Sequence, residues 1–116
     1  MDSFVRRLVE RLLAEEGPLS RNRHFHTFDT PEGRTALRLA RRLKALQRDV
    51  LRCLAEGGRL ELRRRTDTLP ARALELCLFH RVGTHRAFLG REELELLRGL
   101  PGLAEPLGPA AARRAG

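Results

Sequence analysis

The residues of this sequence that are best suited to chemistry are the arginines between residues 31 and 57. On a helix that turns by about 100° per residue, a set of them falls within roughly 40° of one line: Arg34, Arg38, Arg41, Arg48 and Arg52. Arg42 and Lys44 lie beside this line. The opposite side is apolar and carries Leu39, Leu43, Leu46, Val50 and Leu54. Because a guanidinium pairs with two phosphate oxygens at once, such a stripe suits a phosphate backbone.

The positive charge of the chain is concentrated around this stripe. Residues 21–65 hold 13 Arg or Lys against 5 Asp or Glu, a net of +8, which equals the net charge of all 116 residues. A second basic run, Arg63, Arg64 and Arg65, would widen the field of the helix. This distribution predicts a polyanionic or an acidic partner.

Two kinds of partner fit a basic amphipathic helix. We expect a nucleic acid that is held through its phosphates without base reading, because the chain has no zinc-finger spacing and no Tyr or Trp on which single strands stack. The alternative is an acidic protein, or a second copy of the chain in a homo-oligomer, and it would leave Leu37 and Leu51 exposed beside the arginines. Solvation of the arginine face alone is the third interpretation. A membrane surface is not expected, because the apolar side of the helix lacks Phe and Trp and is needed for the core.

Metal binding and catalysis have weaker signals. Cysteine and histidine side chains could supply zinc ligands, and they lie at His24, His26, Cys77, His80 and His85. His26 near Asp29 and Glu32 could form an acid–base cluster, although both acids fit a helix start. Glu61-Leu62-Arg63 matches a nuclease carboxylate-x-lysine pattern only distantly, because the lysine is absent. We expect no enzyme, no metal and no cofactor.

Two helices precede the second basic run. The first is predicted over residues 4–16, with Asp2 or Ser3 as its N-cap and Gly17-Pro18 as its stop. The second is predicted over residues 31–57, because Thr30 is a good N-cap, Pro31 suits the first helical position and Gly57-Gly58 ends the pattern. At 1.5 Å per residue this helix is roughly 40 Å long.

The rest of the chain predicts a small sheet and a short helix. Residues 59–63 alternate polar and apolar side chains, as a strand does. Residues 70–82 fit either a helix or a strand, and we favour a strand that turns at Gly83-Thr84, because the first strand needs a hydrogen-bonding neighbour. A short helix over residues 91–98 follows Gly90.

The expected fold is α+β, and an all-α bundle is the alternative. In the α+β fold, the long helix and the N-terminal helix pack on a small antiparallel sheet, with a short C-terminal helix. Residues 1–100 should form one compact domain, and residues 101–116, rich in Pro, Gly and Ala, a flexible tail. Cys53 and Cys77 lack a CxxC pattern and suggest reduced thiols. Without a signal peptide or a long apolar run, we expect a cytoplasmic protein.

Overall fold

The part of the chain that the structure describes holds three helices and a three-stranded antiparallel sheet. The structure is a computed structural model, and it describes residues 1–17, 19, 29–64 and 74–108. In chain order the elements are α1 (Ser3–Leu13), α2 (Pro31–Ala55), β1 (Arg59–Arg64), β2 (Leu74–His80), β3 (Gly83–Leu89) and α3 (Arg91–Arg98). The predicted α+β class and the order of its elements are confirmed.

The chain divides into two compact units, Met1–Ala45 and Leu46–Gly116. Helix α2 is unbroken and contributes residues to both. Each unit is described by itself below. The prediction of one compact domain over residues 1–100 stays a prediction.

Helix α1 begins where the sequence places its cap. An Oδ1 atom of Asp2 accepts the backbone N–H groups of Phe4 at 2.7 Å and Val5 at 3.4 Å, which satisfies two donors that a helix start leaves open. The apolar side chains Val5, Leu8, Val9 and Leu12 are buried at helical spacing. The helix ends at Leu13, three residues before the predicted end. Gly17, at φ 79°, marks the end of the turn that follows.

Helix α2 begins at the predicted Pro31 and ends at Ala55, two residues before the predicted end. Thr30 Oγ1 accepts the N–H of Gly33 at 3.0 Å, and Pro31 takes the first helical position. At the other end Gly57 has φ 79°, and the N–H of Gly58 donates to Cys53 O at 2.8 Å, which completes a Schellman motif. A Cβ on Gly58 would lie 2.5 Å from Phe79 O and 2.6 Å from Cys53 Sγ. Only glycine therefore lets the end of α2 approach the sheet so closely.

The strand interpretation of residues 70–82 is confirmed over Leu74–His80. Strand β2 lies between β1 and β3 and pairs with both in antiparallel register. The β2–β3 turn falls at Arg81 and Val82, and Gly83-Thr84, predicted as the turn, begins β3. One face of the sheet carries the apolar side chains of Leu60, Leu62, Leu76, Leu78, Ala87 and Leu89. The other face, here called the outer face, carries Arg59, Glu61, Arg63, Glu75, Cys77, Phe79, Thr84, Arg86 and Phe88.

After the sheet, packed residues continue beyond residue 100, where the sequence predicts the end of the domain. Helix α3 has the predicted bounds, and Leu94, Leu97 and Leu100 are buried as expected. Leu103 and Leu107, inside the predicted tail, are fully buried as well. Gln47 donates to Pro101 O at 3.0 Å. The predicted tail therefore starts too early. Residues 101–108 belong to the packed unit, and residues 109–116 lie outside the described residues.

Candidate functional site

The first half of α2 presents three predicted site residues to solvent, all within the unit Met1–Ala45. Arg34, Arg38 and Arg41 are exposed. No carboxylate of the described residues lies within 4.0 Å of the guanidinium of Arg34 or Arg38. Arg41 donates from Nη2 to Leu19 O at 3.2 Å. Because a backbone carbonyl is neutral, that bond leaves the charge of Arg41 uncompensated.

The second half of α2 repeats this pattern in the unit Leu46–Gly116. Arg48 and Arg52 are exposed, and within residues 29–64 and 74–108 neither has a carboxylate partner within 4.0 Å. Two acids lie nearby in the sequence. Asp49 is half-buried, and Glu56 lies 3.9 Å from Nδ1 of His80. The arginines that define the stripe are thus exposed along the whole helix.

Lys44 and Arg42, predicted beside the stripe, differ from the central arginines. Lys44 is half-buried, and its ammonium donates to the backbone carbonyls of Glu15 and, at 3.1 Å, of Gly17. These carbonyls follow the end of α1, so Lys44 ties that turn to α2. Arg42 is exposed, but it already interacts with another group of the protein. The structure therefore gives Lys44 a role in the fold that its sequence position does not reveal.

The arginines of β1 have a counter-charge within the protein. Arg63 Nη2 lies 2.8 Å from Glu61 Oε2, and Arg59 Nη1 lies 3.4 Å from the same oxygen. The hydrogen bond and the charge of Glu61 raise the pKa of Arg63. Arg64 is exposed at the end of β1, and Arg65 lies outside the described residues. Of the predicted run Arg63–Arg65, the structure thus shows one residue paired and one exposed.

A buried acid and a thiol occupy the centre of the outer face. Glu75 and Cys77 have no exposed surface, and the Cys77 thiol donates to Glu75 Oε1 at 2.9 Å. Arg86 Nε lies 3.8 Å from the same oxygen. Burial, followed by the hydrogen bond and charge of Glu75, raises the pKa of Cys77 to about 11. Because the thiolate is the nucleophilic form, a thiol that stays protonated at neutral pH is a poor nucleophile.

The metal and acid–base hypotheses find little geometric support. Cys77 and His80 point to opposite faces of β2, because side chains alternate along a strand. In the described ranges, no three His, Cys, Asp or Glu side chains are arranged to hold a metal ion. Asp29 and Glu32 are exposed at the start of α2. His24 and His26 lie outside the described residues.

Two leucines were expected to separate a protein partner from a nucleic acid. Leu37 is buried and contributes to the core, whereas Leu51 is 40% exposed. Of the two leucines expected to be exposed beside the arginines, the structure therefore exposes only Leu51.

In the part of the chain that the structure describes, α2 and the shorter helices all lack the combined length and apolar content of a membrane span.

The outer face of the sheet holds residues that sequence reasoning did not single out. The guanidinium of Arg59 lies 4.1 Å from the ring centroid of Phe79, and Phe88 is 45% exposed near Arg86. The signal for this grouping is the alternation within β1, β2 and β3. It becomes informative only when the register between the strands is known.

In comparisons with protein-family models, with curated proteins and with solved structures, no significant match to this chain was found. The function proposed below is therefore argued from the geometry of the chain's own residues.

Proposed function

We propose that this chain is a small, non-catalytic nucleic-acid-binding accessory protein that holds a phosphate backbone through the outward arginines of α2. One observation carries the proposal. Arg34 and Arg38 in one unit, and Arg48 and Arg52 in the other, are exposed and have no carboxylate of the described residues within 4.0 Å. On the outer face of the sheet, by contrast, Glu61 lies beside the arginines of β1. Action within a larger nucleoprotein complex is part of the proposal.

The same helix supports binding that tolerates any sequence. Base edges are read by Arg on guanine and by Asn or Gln on adenine, whereas the proposal places the arginines of α2 on phosphates. Gln47 is the only amide side chain on α2, and it donates to Pro101 O. Arginines that contact phosphates fix position but carry no sequence information. We therefore expect the protein to bind unrelated sequences with similar affinity.

The proposal includes a cytoplasmic location. Cys53 and Cys77 are the two cysteines of the chain, and both are free and buried. Free thiols persist in reducing compartments.

The direct test measures binding to a labelled random-sequence duplex by fluorescence anisotropy between about 50 and 200 mM salt. The logarithm of the affinity should fall linearly with the logarithm of salt, with a slope of about −0.9 for each phosphate contact. The double variants Arg34→Ala/Arg38→Ala and Arg48→Ala/Arg52→Ala each remove two exposed arginines. Each should weaken binding to every sequence tested and make the slope shallower by about 2.

The matched control is Arg81→Ala/Arg91→Ala. It removes the same charge from two exposed arginines that lie outside α2, so it should keep the wild-type slope. An equal loss in the control and in both α2 variants would mean that net charge alone determines binding. Absence of duplex binding near 50 mM salt would overturn the proposal.

A second candidate function is docking of α2 on an acidic protein partner or on a second copy of the chain. The exposure of Leu51 beside Arg48 and Arg52 favours it. Under this alternative, wild-type protein binds no duplex at low salt, and Leu51→Ser lowers the mass of any oligomer measured by light scattering. Under the nucleic-acid proposal, Leu51→Ser leaves duplex affinity unchanged.

A further inference from the structure

The outer face of the sheet presents an exposed aromatic ring beside an exposed arginine. Phe88 and Arg86 lie two residues apart on β3, so both side chains project from the same face. Phe88 is 45% exposed, and the Arg86 side chain is 60% exposed. An aromatic ring next to a cation is the arrangement that holds an unpaired base and its phosphate.

A second stacking position lies at the other end of the face. The guanidinium carbon of Arg59 is 4.1 Å from the centroid of Phe79, within the range of a cation–π contact. The Arg59 side chain is nevertheless 68% exposed. Proteins that bind single-stranded RNA stack bases on guanidinium planes as well as on aromatic rings. Phe79 therefore positions Arg59 as a flat cationic surface.

The strand register separates these two positions. Phe79 pairs with Thr84, and Phe88 lies four residues further along β3, about 14 Å at the rise of an antiparallel strand. Cys77 lies between them and Glu75 pairs directly with Phe88, and both Cys77 and Glu75 are fully buried. The face therefore offers two separate stacking positions rather than one open platform.

We infer that this face binds unpaired nucleotides of a single-stranded nucleic acid, with one base stacked on Phe88, a second on the Arg59–Phe79 pair, and a phosphate on Arg86. This inference rests on the proposed function and names its substrate class. It replaces the expectation, drawn from the lack of Tyr and Trp, that single strands find no stacking position, because Phe88 and the Arg59 guanidinium supply such positions. The bases of a continuous duplex are stacked on one another and cannot use these positions. The face carries Arg59, Arg63 and Arg86 against Glu61 and Glu75. Its net charge is small, so stacking must supply most of its contribution to affinity.

The test compares two probes, an oligothymidylate of about 16 nucleotides and a random-sequence duplex. Phe88→Leu removes the ring and keeps an apolar side chain of similar size. It should weaken oligothymidylate binding at least about fivefold, the lower end of the effect of one stacked base, and leave duplex binding unchanged. Because stacking is uncharged, the fold-change should be the same at about 50 and 200 mM salt.

Two further variants control for misfolding and for a loss of affinity that does not depend on the Phe88 ring. Phe4→Leu is the matched control, because Phe4 is 50% exposed on α1, outside the sheet. Phe88→Tyr restores the ring and should bind oligothymidylate with wild-type affinity. All variants are compared at equal helical content by circular dichroism. Equal oligothymidylate affinity of Phe88→Leu and Phe4→Leu, with duplex binding intact, overturns this inference alone. If the wild-type protein binds neither the oligothymidylate nor the duplex, the proposed function is overturned together with this inference.

Discussion

Two surfaces of this molecule carry several arginines, and among the described residues they differ in how many carboxylates lie beside those arginines. On the outer face of the sheet, Arg59 and Arg63 share Glu61, and Arg86 lies near the buried Glu75. On α2, Arg48 and Arg52 have no carboxylate of the described residues within 4.0 Å. The difference separates two uses of the same side chain. The paired arginines already have an anion beside them, whereas Arg48 and Arg52 on the regular helix are available to an external anion.

The contrast between the two surfaces would be wrong if removing arginines from either one reduced duplex affinity equally. Arg48→Ala/Arg52→Ala should reduce duplex affinity by more than about tenfold near 50 mM salt, because two phosphate contacts are lost. Arg59→Ala/Arg63→Ala removes the same charge, yet it should reduce duplex affinity by less than about threefold. It should instead lower the free energy of unfolding only slightly, because exposed ion pairs and one cation–π contact contribute little to stability.

Duplex titrations and urea unfolding of both double variants measure these effects. A larger loss of duplex affinity in Arg59→Ala/Arg63→Ala than in Arg48→Ala/Arg52→Ala would reverse the assignment of the two surfaces.

The buried centre of the outer face should make the stability of the protein sensitive to alkaline pH. The pKa of Cys77 is raised from 9.0 to about 11 in the folded protein, chiefly by burial. Between these values the folded state binds more protons than the unfolded state, so stability falls as the pH rises. The contribution is present in full below pH 9 and is lost by about pH 11, with a size of about 2–3 kcal/mol.

Urea unfolding of wild-type protein and of Cys77→Ala at pH 8, 9, 10 and 11 measures this contribution. Each protein is compared with its own stability at pH 8, so the cost of the substitution itself cancels. The variant should lose less stability than the wild type between pH 9 and 11. Parallel losses in the two proteins would show that Cys77 does not titrate in this window.

The contrast between local signals and strand register explains how much of the molecule could be predicted. Thr30, Pro31 and the glycines at 57 and 58 act on the backbone next to them, so α2 and its exposed stripe follow from adjacent residues. The outer face depends on cross-strand pairs such as Arg63 with Glu75, which join residues on different strands. Alternation predicts two faces for each strand, but it does not say which residues become neighbours.

Two further differences have the same cause. Lys44 binds the carbonyls of Glu15 and Gly17, a contact over more than twenty residues that a helical projection cannot show. Leu103 and Leu107 are buried in a segment whose Pro and Gly content is typical of a tail. In both cases packing within one compact unit overrides the local pattern, and the candidate site loses one predicted cation.

The smallest expected effect on duplex affinity comes from removing the counter-charge on the outer face of the sheet, so that its arginines resemble those of α2. Glu61→Gln keeps the size of the side chain and an oxygen that can accept from Arg63, but it removes the charge that Arg59 and Arg63 share. Both guanidinium groups then become uncompensated, so duplex affinity near 50 mM salt should rise about two- to threefold, with unfolding free energy changed by less than about 1 kcal/mol. Glu105→Gln makes the same change in net charge at an exposed position after α3 and should leave affinity nearly constant. An equal rise in both variants would mean that net charge, rather than the pairing of individual arginines, sets the affinity for polyanions.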